Sequence, residues 1–221
     1  VHSFPTRRSS DLINEFLRKG GSVFLAAQNY EFNYRPTELG GLQLVPNEKK
    51  PGTDDLTRAW GFELDSEVLA DEQSGVINLN SPTNLGIFDM AMPVKLPIQI
   101  LLSPSEMNPK ISITSRLSTF FYLWGSALKV DLDKIKAQKL KLQVLLSSSK
   151  KSWTVPFKPG TMNPEDLNLM PKSPKGPFPL AILAQGQFED AFKGKEVPAW
   201  PSEEPAKSDT GQQTDPKAKA Q

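Results

Sequence analysis

Residues 13–28 read INEFLRKGGSVFLAAQ, and this stretch sets the expected fold. Ile13, Phe16 and Leu17 recur at i, i+3 and i+4, which places them on one face of a helix. Arg18 and Lys19 lie at the end where a helix dipole favours cations. Gly20-Gly21 supply the backbone freedom that stops it. SVFLAAQ then runs almost without a polar residue, the composition of a strand covered on both faces. Helix, Gly-Gly and buried strand make half of an α/β unit. The expected fold is therefore α/β, a mostly parallel sheet with flanking helices, flavodoxin/amidotransferase-like and truncated at both ends. Ligands of such sheets sit beyond the carboxyl ends of the strands, which marks Gln28, Asn29 and Glu31, around Tyr30, as candidate binding residues.

Further along the chain, Thr53 followed by Asp54 and Asp55 reads as an N-cap with acids in the first turn. Leu56, Ala59 and Trp60 give that helix its apolar side, and Gly61 ends it. GVINLN and LGIFDM are short strand candidates. Four prolines, Pro93, Pro97, Pro104 and Pro109, break the next stretch, so LPIQILL is expected as a first-position or edge strand only. The aromatic run of Phe120, Phe121, Leu123 and Trp124 is expected in the core, as is Trp60. KLKLQVLL alternates and then becomes continuously apolar, the pattern of a strand, before a serine-rich turn. A proline-rich loop from Val155 to Pro179 precedes a last strand candidate, PLAILAQGQFEDAF. Residues 197–221 are rich in Pro, charge and small polar groups and are expected to form a disordered linker.

The chain opens on HSFPTRRSSDL, whose paired arginines resemble an export or transit signal. Such a signal continues into an apolar run of roughly 7–15 residues, and the charged INEFLRKGG follows instead. The string is identical to the translation of a common short-read sequencing adapter. Residues 1–12 are therefore expected to be an adapter-derived artefact, leaving residues 13–196 as the α/β domain. With them goes His2, the single histidine of the chain, which contains no cysteine. Removing Arg7, Arg8 and Asp11 from 26 basic and 25 acidic residues leaves 24 of each. A neutral domain offers no overall basic field to attract nucleic acid or an anionic membrane. No run of about 18 apolar residues occurs, so no segment reads as a membrane span.

These absences exclude much chemistry. A glutamine amidotransferase needs Cys with His, and a Ser-His-Asp hydrolase needs the same imidazole. Zinc sites draw on both residue types, and no metal or other cofactor is expected. The phosphate-binding fingerprints GxxxxGK[ST] and GxGxxG are missing, since Gly20-Gly21 precedes its strand. What remains is Ser, Lys or carboxylate chemistry, or none.

SSSKKSW is the best positive feature. Ser147, Ser148, Ser149 and Lys150, with Trp153 nearby, stand at the end of a strand. Hydroxyls, backbone N–H groups and one ammonium there are able to hold a carboxylate or phosphate. The plainer reading is a turn whose serines bond their own backbone. A degenerate amidotransferase-like or hydrolase-like enzyme would need this turn and Gln28 to Glu31 in one pocket. A carbohydrate platform would need Trp153 and Tyr30 side by side at the surface. Asp131, Asp133 and Lys134 read as a solvated charged face.

Five segments in order, INEFLRKGGSVFLAAQ, DDLTRAWGFELDSEVLAD, NPKISITSRLSTFFYLWGSALKVD, LKLQVLLSSSKKSW and GPFPLAILAQGQFEDAF, resemble the auxiliary component of ABC-type transport systems associated with bacterial gliding motility, the GldG-like family. The resemblance implies a helix over Asp54 onward with a strand starting after Gly61, and a strand ending in a hydroxyl-rich turn before Trp153. It also implies a non-enzymatic domain on the periplasmic or outer side of the bacterial inner membrane, anchored by helices missing from this segment. Its partners would be ABC permease and ATPase subunits or other membrane proteins. The family carries no agreed catalytic residues, so the resemblance assigns none.

Overall fold

The computed structural model describes residues 7–36, 42–81, 90–161 and 174–196. Three helices lie among them: α1 (Arg7–Arg18), α2 (Asp54–Ala59) and α3 (Leu132–Ala137), with a 3-10 turn η1 (Pro104–Glu106). The strands are β1 (Tyr30–Pro36), β2 (Leu42–Glu48), β3 (Phe62–Leu64), β4 (Glu67–Asp71), β5 (Ser74–Ser81), β6 (Met90–Leu102), β7 (Phe120–Leu123), β8 (Leu128–Val130), β9 (Lys141–Ser147), β10 (Ser152–Pro156) and β11 (Pro179–Gln185).

Every pairing among these strands is antiparallel: β1 with β2, β3 with β8, β4 with β10, β9 with β11, and β5-β6-β7 in a row. This overturns the expected α/β fold with its mostly parallel sheet. Parallel neighbours need a crossover of a dozen or more residues, usually a helix, whereas α2 and α3 have six residues each. The helix at Ile13 and its stop are as expected, with Gly20 at φ +89° and Gly21 N–H closing on the Phe16 carbonyl at 3.0 Å. That helix also takes in Arg7 to Leu12, and the buried Ser10 hydroxyl donates to the Gly52 carbonyl. SVFLAAQ departs from expectation. It joins no sheet among the described residues, and Phe24 is 93% exposed.

Prolines failed as breakers in β6 for a local reason. Pro93 and Pro97 both lie inside this thirteen-residue strand, the middle one of its sheet. The β7 partner reaches only from Gln99 to Leu102, and the register against β5 jumps between Ser74 and Gly75, so Pro97 faces a bulge on one side and no strand on the other. A residue without an N–H costs nothing where no ladder bond is due. On both sides of it, Leu96, Ile98, Ile100 and Leu102 repeat at period two and are fully buried.

Three apolar clusters form the core. Tyr30, Phe32, Leu44, Val68, Leu96 and Ile98 make the first, and Leu69, Ile100, Leu102, Met107, Ala127, Leu146 and Leu180 the second. The third packs Leu56, Trp60, Phe62, Ile135, Leu140 and Phe192 beneath α1. The strand β4 joins the first two, since neighbours Val68 and Leu69 point to opposite sides and are 2% and 0% exposed. Trp60 is core as expected, but Phe120, Phe121 and Leu123 are not, at 39%, 56% and 42% exposure. The expected linker, residues 197–221, and most of LGIFDM lie outside the described residues.

Candidate functional site

The serine-rich turn between β9 and β10 borders a surface cleft of about 630 Å³, with Ser147, Ser148, Ser149 and Lys150 in its wall. Glu106 on η1 and Asn108 line the same cleft. The cleft is shallow and open to solvent.

Asp71, at the end of β4, organises the turn. Its carboxylate is fully buried and accepts Ser149 N–H at 2.8 Å, Ser149 O–H at 2.6 Å and Gln73 N–H at 3.0 Å. These charge-assisted bonds offset the cost of burying the acid. Ser152 donates to the Ser149 carbonyl at 2.8 Å, which spends its one proton. Ser148 must therefore be the donor in its 2.7 Å contact with Ser152, and it also accepts Phe178 N–H at 2.7 Å. The Ser149 hydroxyl takes Lys151 N–H at 3.0 Å. Gly176 seals the arrangement, because a Cβ there would come within 2.2 Å of both the Ser149 carbonyl and the Ser152 hydroxyl.

All three buried hydroxyls thus have their protons committed, and none touches a lysine amine. Such a turn lacks the serine–lysine contact of a Ser-Lys dyad, and its one hydroxyl–carboxylate contact, Ser149 with Asp71, is buried. What faces the cleft is Ser147, the exposed Lys150 and an ion pair of Lys151 with Glu72 at 2.6 Å. The hydrogen bond from Lys151 holds the Glu72 carboxyl below its usual range. In the same cleft, burial pushes the Glu106 carboxyl up, but bonds from the Ser103 and Ser105 hydroxyls and Ser103 N–H outweigh it and hold it low.

The other predicted edge lies elsewhere. Asn29 donates to the Asp65 carbonyl at 2.9 Å, and the Tyr30 hydroxyl to that of Ser66, at the start of β4. Asp71 and the serine turn are at its far end, about 20 Å away at 3.3 Å per residue. Glu31 pairs with Lys49 at 3.4 Å, and Gln28 is half-buried. The structure therefore separates Gln28, Asn29 and Glu31 from Ser147 to Lys150. Tyr30 and Trp153 are each 5% exposed, and Tyr30 stacks on Phe157 at 4.2 Å, so no aromatic surface platform exists at these two rings.

Asp71 and Gly176 escaped the sequence reading. The signal for the first was an acid ending the apolar run EVLAD two residues before Gln73, the spacing of an Asx turn. Asp131 was read as a solvated acid and is exposed, but it caps α3, accepting Asp133 N–H at 3.2 Å and Lys134 N–H at 3.1 Å. Thr53 opens α2 without a side-chain cap bond.

The candidate site is thus a serine-rich turn of an antiparallel β domain, held together by Asp71 and by its own hydroxyls. The chain belongs to the auxiliary family described as "ABC-type uncharacterized transport system", whose model matches residues 6–219. No curated protein and no solved structure matches it. The expected tie to a transport system therefore stands at the level of the family.

Proposed function

We propose that this chain is a non-enzymatic contact domain of an ABC-type transport auxiliary component. In this reading it faces the periplasm or the cell exterior, meets the permease or ATPase subunits, and belongs to the GldG-like, gliding-motility branch. Family membership supports the transport role. The observation that carries the non-enzymatic part is the commitment of the Ser148, Ser149 and Ser152 protons to Asp71 and to the turn itself. Ser147 and Lys150 then serve as a rim for a partner's polar groups.

The test is co-expression of the complete gene with the permease and ATPase genes beside it, followed by affinity purification and a reporter fusion to locate the domain. Recovery of a stoichiometric complex with the domain outside the cytoplasm is the expected result. Ester or amide hydrolysis by the purified chain that disappears in Ser147→Ala would overturn the non-enzymatic reading. A cytoplasmic reporter signal would overturn the placement.

A further inference from the structure

The exposed apolar side chains of residues 113–123 do not behave as a poorly filled core. The turn before β7 is pinned: Ile111 and Thr114 are buried, the Thr114 hydroxyl donates to the Asn108 carbonyl at 2.6 Å, and Ser115 N–H bonds the Ile111 carbonyl at 2.9 Å. Held this way, it turns Ile113 and Leu117 outward at 61% and 38% exposure. On β7, Tyr122 pairs with the buried Ile100 and faces the core, so Phe121 and Leu123, paired with Leu101 and Gln99, take the outer face. Together these four side chains leave on the order of 400 Å² of apolar surface in water, within the range where patches on monomers have a role.

Charge decides what covers it. From Met107 to Val130 the chain contains no acid, while Lys110 and Arg116 flank the outward side chains. Both cations are exposed, and neither forms an ion pair among the described residues, whereas Lys129 at the end of the same stretch is paired with Asp65 at 2.9 Å. The acid nearest in sequence, Glu106, has its oxygens engaged by Ser103 and Ser105. Rings and aliphatic chains between unpaired cations fit the boundary between acyl chains and anionic headgroups.

We propose that the face built by Ile113, Leu117, Phe121 and Leu123, with Lys110 and Arg116, seats this domain on an anionic lipid surface. The inference does not depend on which side of the membrane the domain occupies or on its lacking catalysis. It adds a peripheral contact made by the β domain itself.

The test is flotation of the full chain with phosphatidylcholine vesicles, with and without about one quarter phosphatidylglycerol. The chain is expected to float with the anionic vesicles and to be released by salt. Replacing both cations, K110Q with R116Q, is expected to lower the partition coefficient about twenty-five-fold, at about fivefold per charge. Replacing the apolar part, F121S with L123S, should abolish flotation while circular dichroism stays that of the parent. Equal flotation with neutral and anionic vesicles, or flotation unchanged in either pair of variants, would overturn the proposal. So would concentration-dependent dimerisation that F121S with L123S removes while the parent floats with neither vesicle.

Discussion

Replacing Asp71 by alanine should unfasten the serine turn, and the size of the effect follows from what the carboxylate holds. It accepts three hydrogen bonds, two from the buried Ser149 and one from Gln73 N–H. Bonds to a charged group contribute about 1.5–3 kcal/mol each, and a buried donor left without a partner keeps its desolvation penalty. Against this, removing the acid also removes the cost of burying it. The net loss should be about 3–5 kcal/mol, a large part of the 5–15 kcal/mol typical of a whole domain. In urea, the midpoint should fall by roughly 1–2 M. Trp153, buried in β10 opposite Ala70, is placed to report the transition by fluorescence. Asp71→Asn is the discriminating control. Its Oδ1 still accepts from Ser149 O–H and Gln73 N–H, but its amide meets Ser149 N–H donor to donor, so about half the loss should remain. If Asp71→Ala unfolds within about 0.5 kcal/mol of the parent, the ordinary range for surface changes, Asp71 does not hold the turn.

Two further outcomes follow from other parts of the molecule. A Cβ on Gly125 would lie 1.9 Å from the Tyr122 ring, whose hydroxyl donates to the Ser126 carbonyl at 2.8 Å, so Gly125→Ala should cost about 2–3 kcal/mol by overpacking. Trimming the ring with Tyr122→Leu should make the double variant less unstable than the sum of the singles; strict additivity would contradict the clash. The Asp190 carboxyl is held below its ordinary 3.8, first by Phe192 N–H and then by Asn14 Nδ2, with Arg18 adding charge at 2.8 Å. A lowered folded value means stability that is complete above the ordinary value and lost as pH falls through the folded one. Thermal melts of the parent should therefore weaken more steeply than those of Asp190→Asn between about pH 5 and pH 2, and parallel curves would show that α1 is not fastened there.

Local patterns were legible where they were settled locally. The Gly-Gly stop after α1, the α2 helix, and strands β9 and β11 were read from periodicity and turn chemistry, and the start of β3 after Gly61 from the family resemblance. Architecture was not, because SVFLAAQ carries the composition of a doubly covered strand whether or not neighbours exist to cover it. With Phe24 standing in water, the α/β inference lost its first strand. Phe120, Phe121 and Leu123 misled for the same reason, since composition records affinity for burial and not what is nearby. At the candidate site, the sequence pointed to the right turn, and its plainer reading is the one realised. It could not reveal that Asp71, 78 positions earlier, supplies the acceptor.

The fastening of α1 has a consequence for how the chain matures. Asn14 bonds Asp190 across 176 positions and Ala191 across 177, and Arg18 reaches the same acid. A ribosome releases the amino end first, so the helix emerges long before its seat. Until residues 188–192 have appeared, the apolar stripe of Ile13 and Leu17 finds only part of its native cluster. Contacts this distant in sequence are slow to close, and a newborn chain in that interval is a natural client for chaperones.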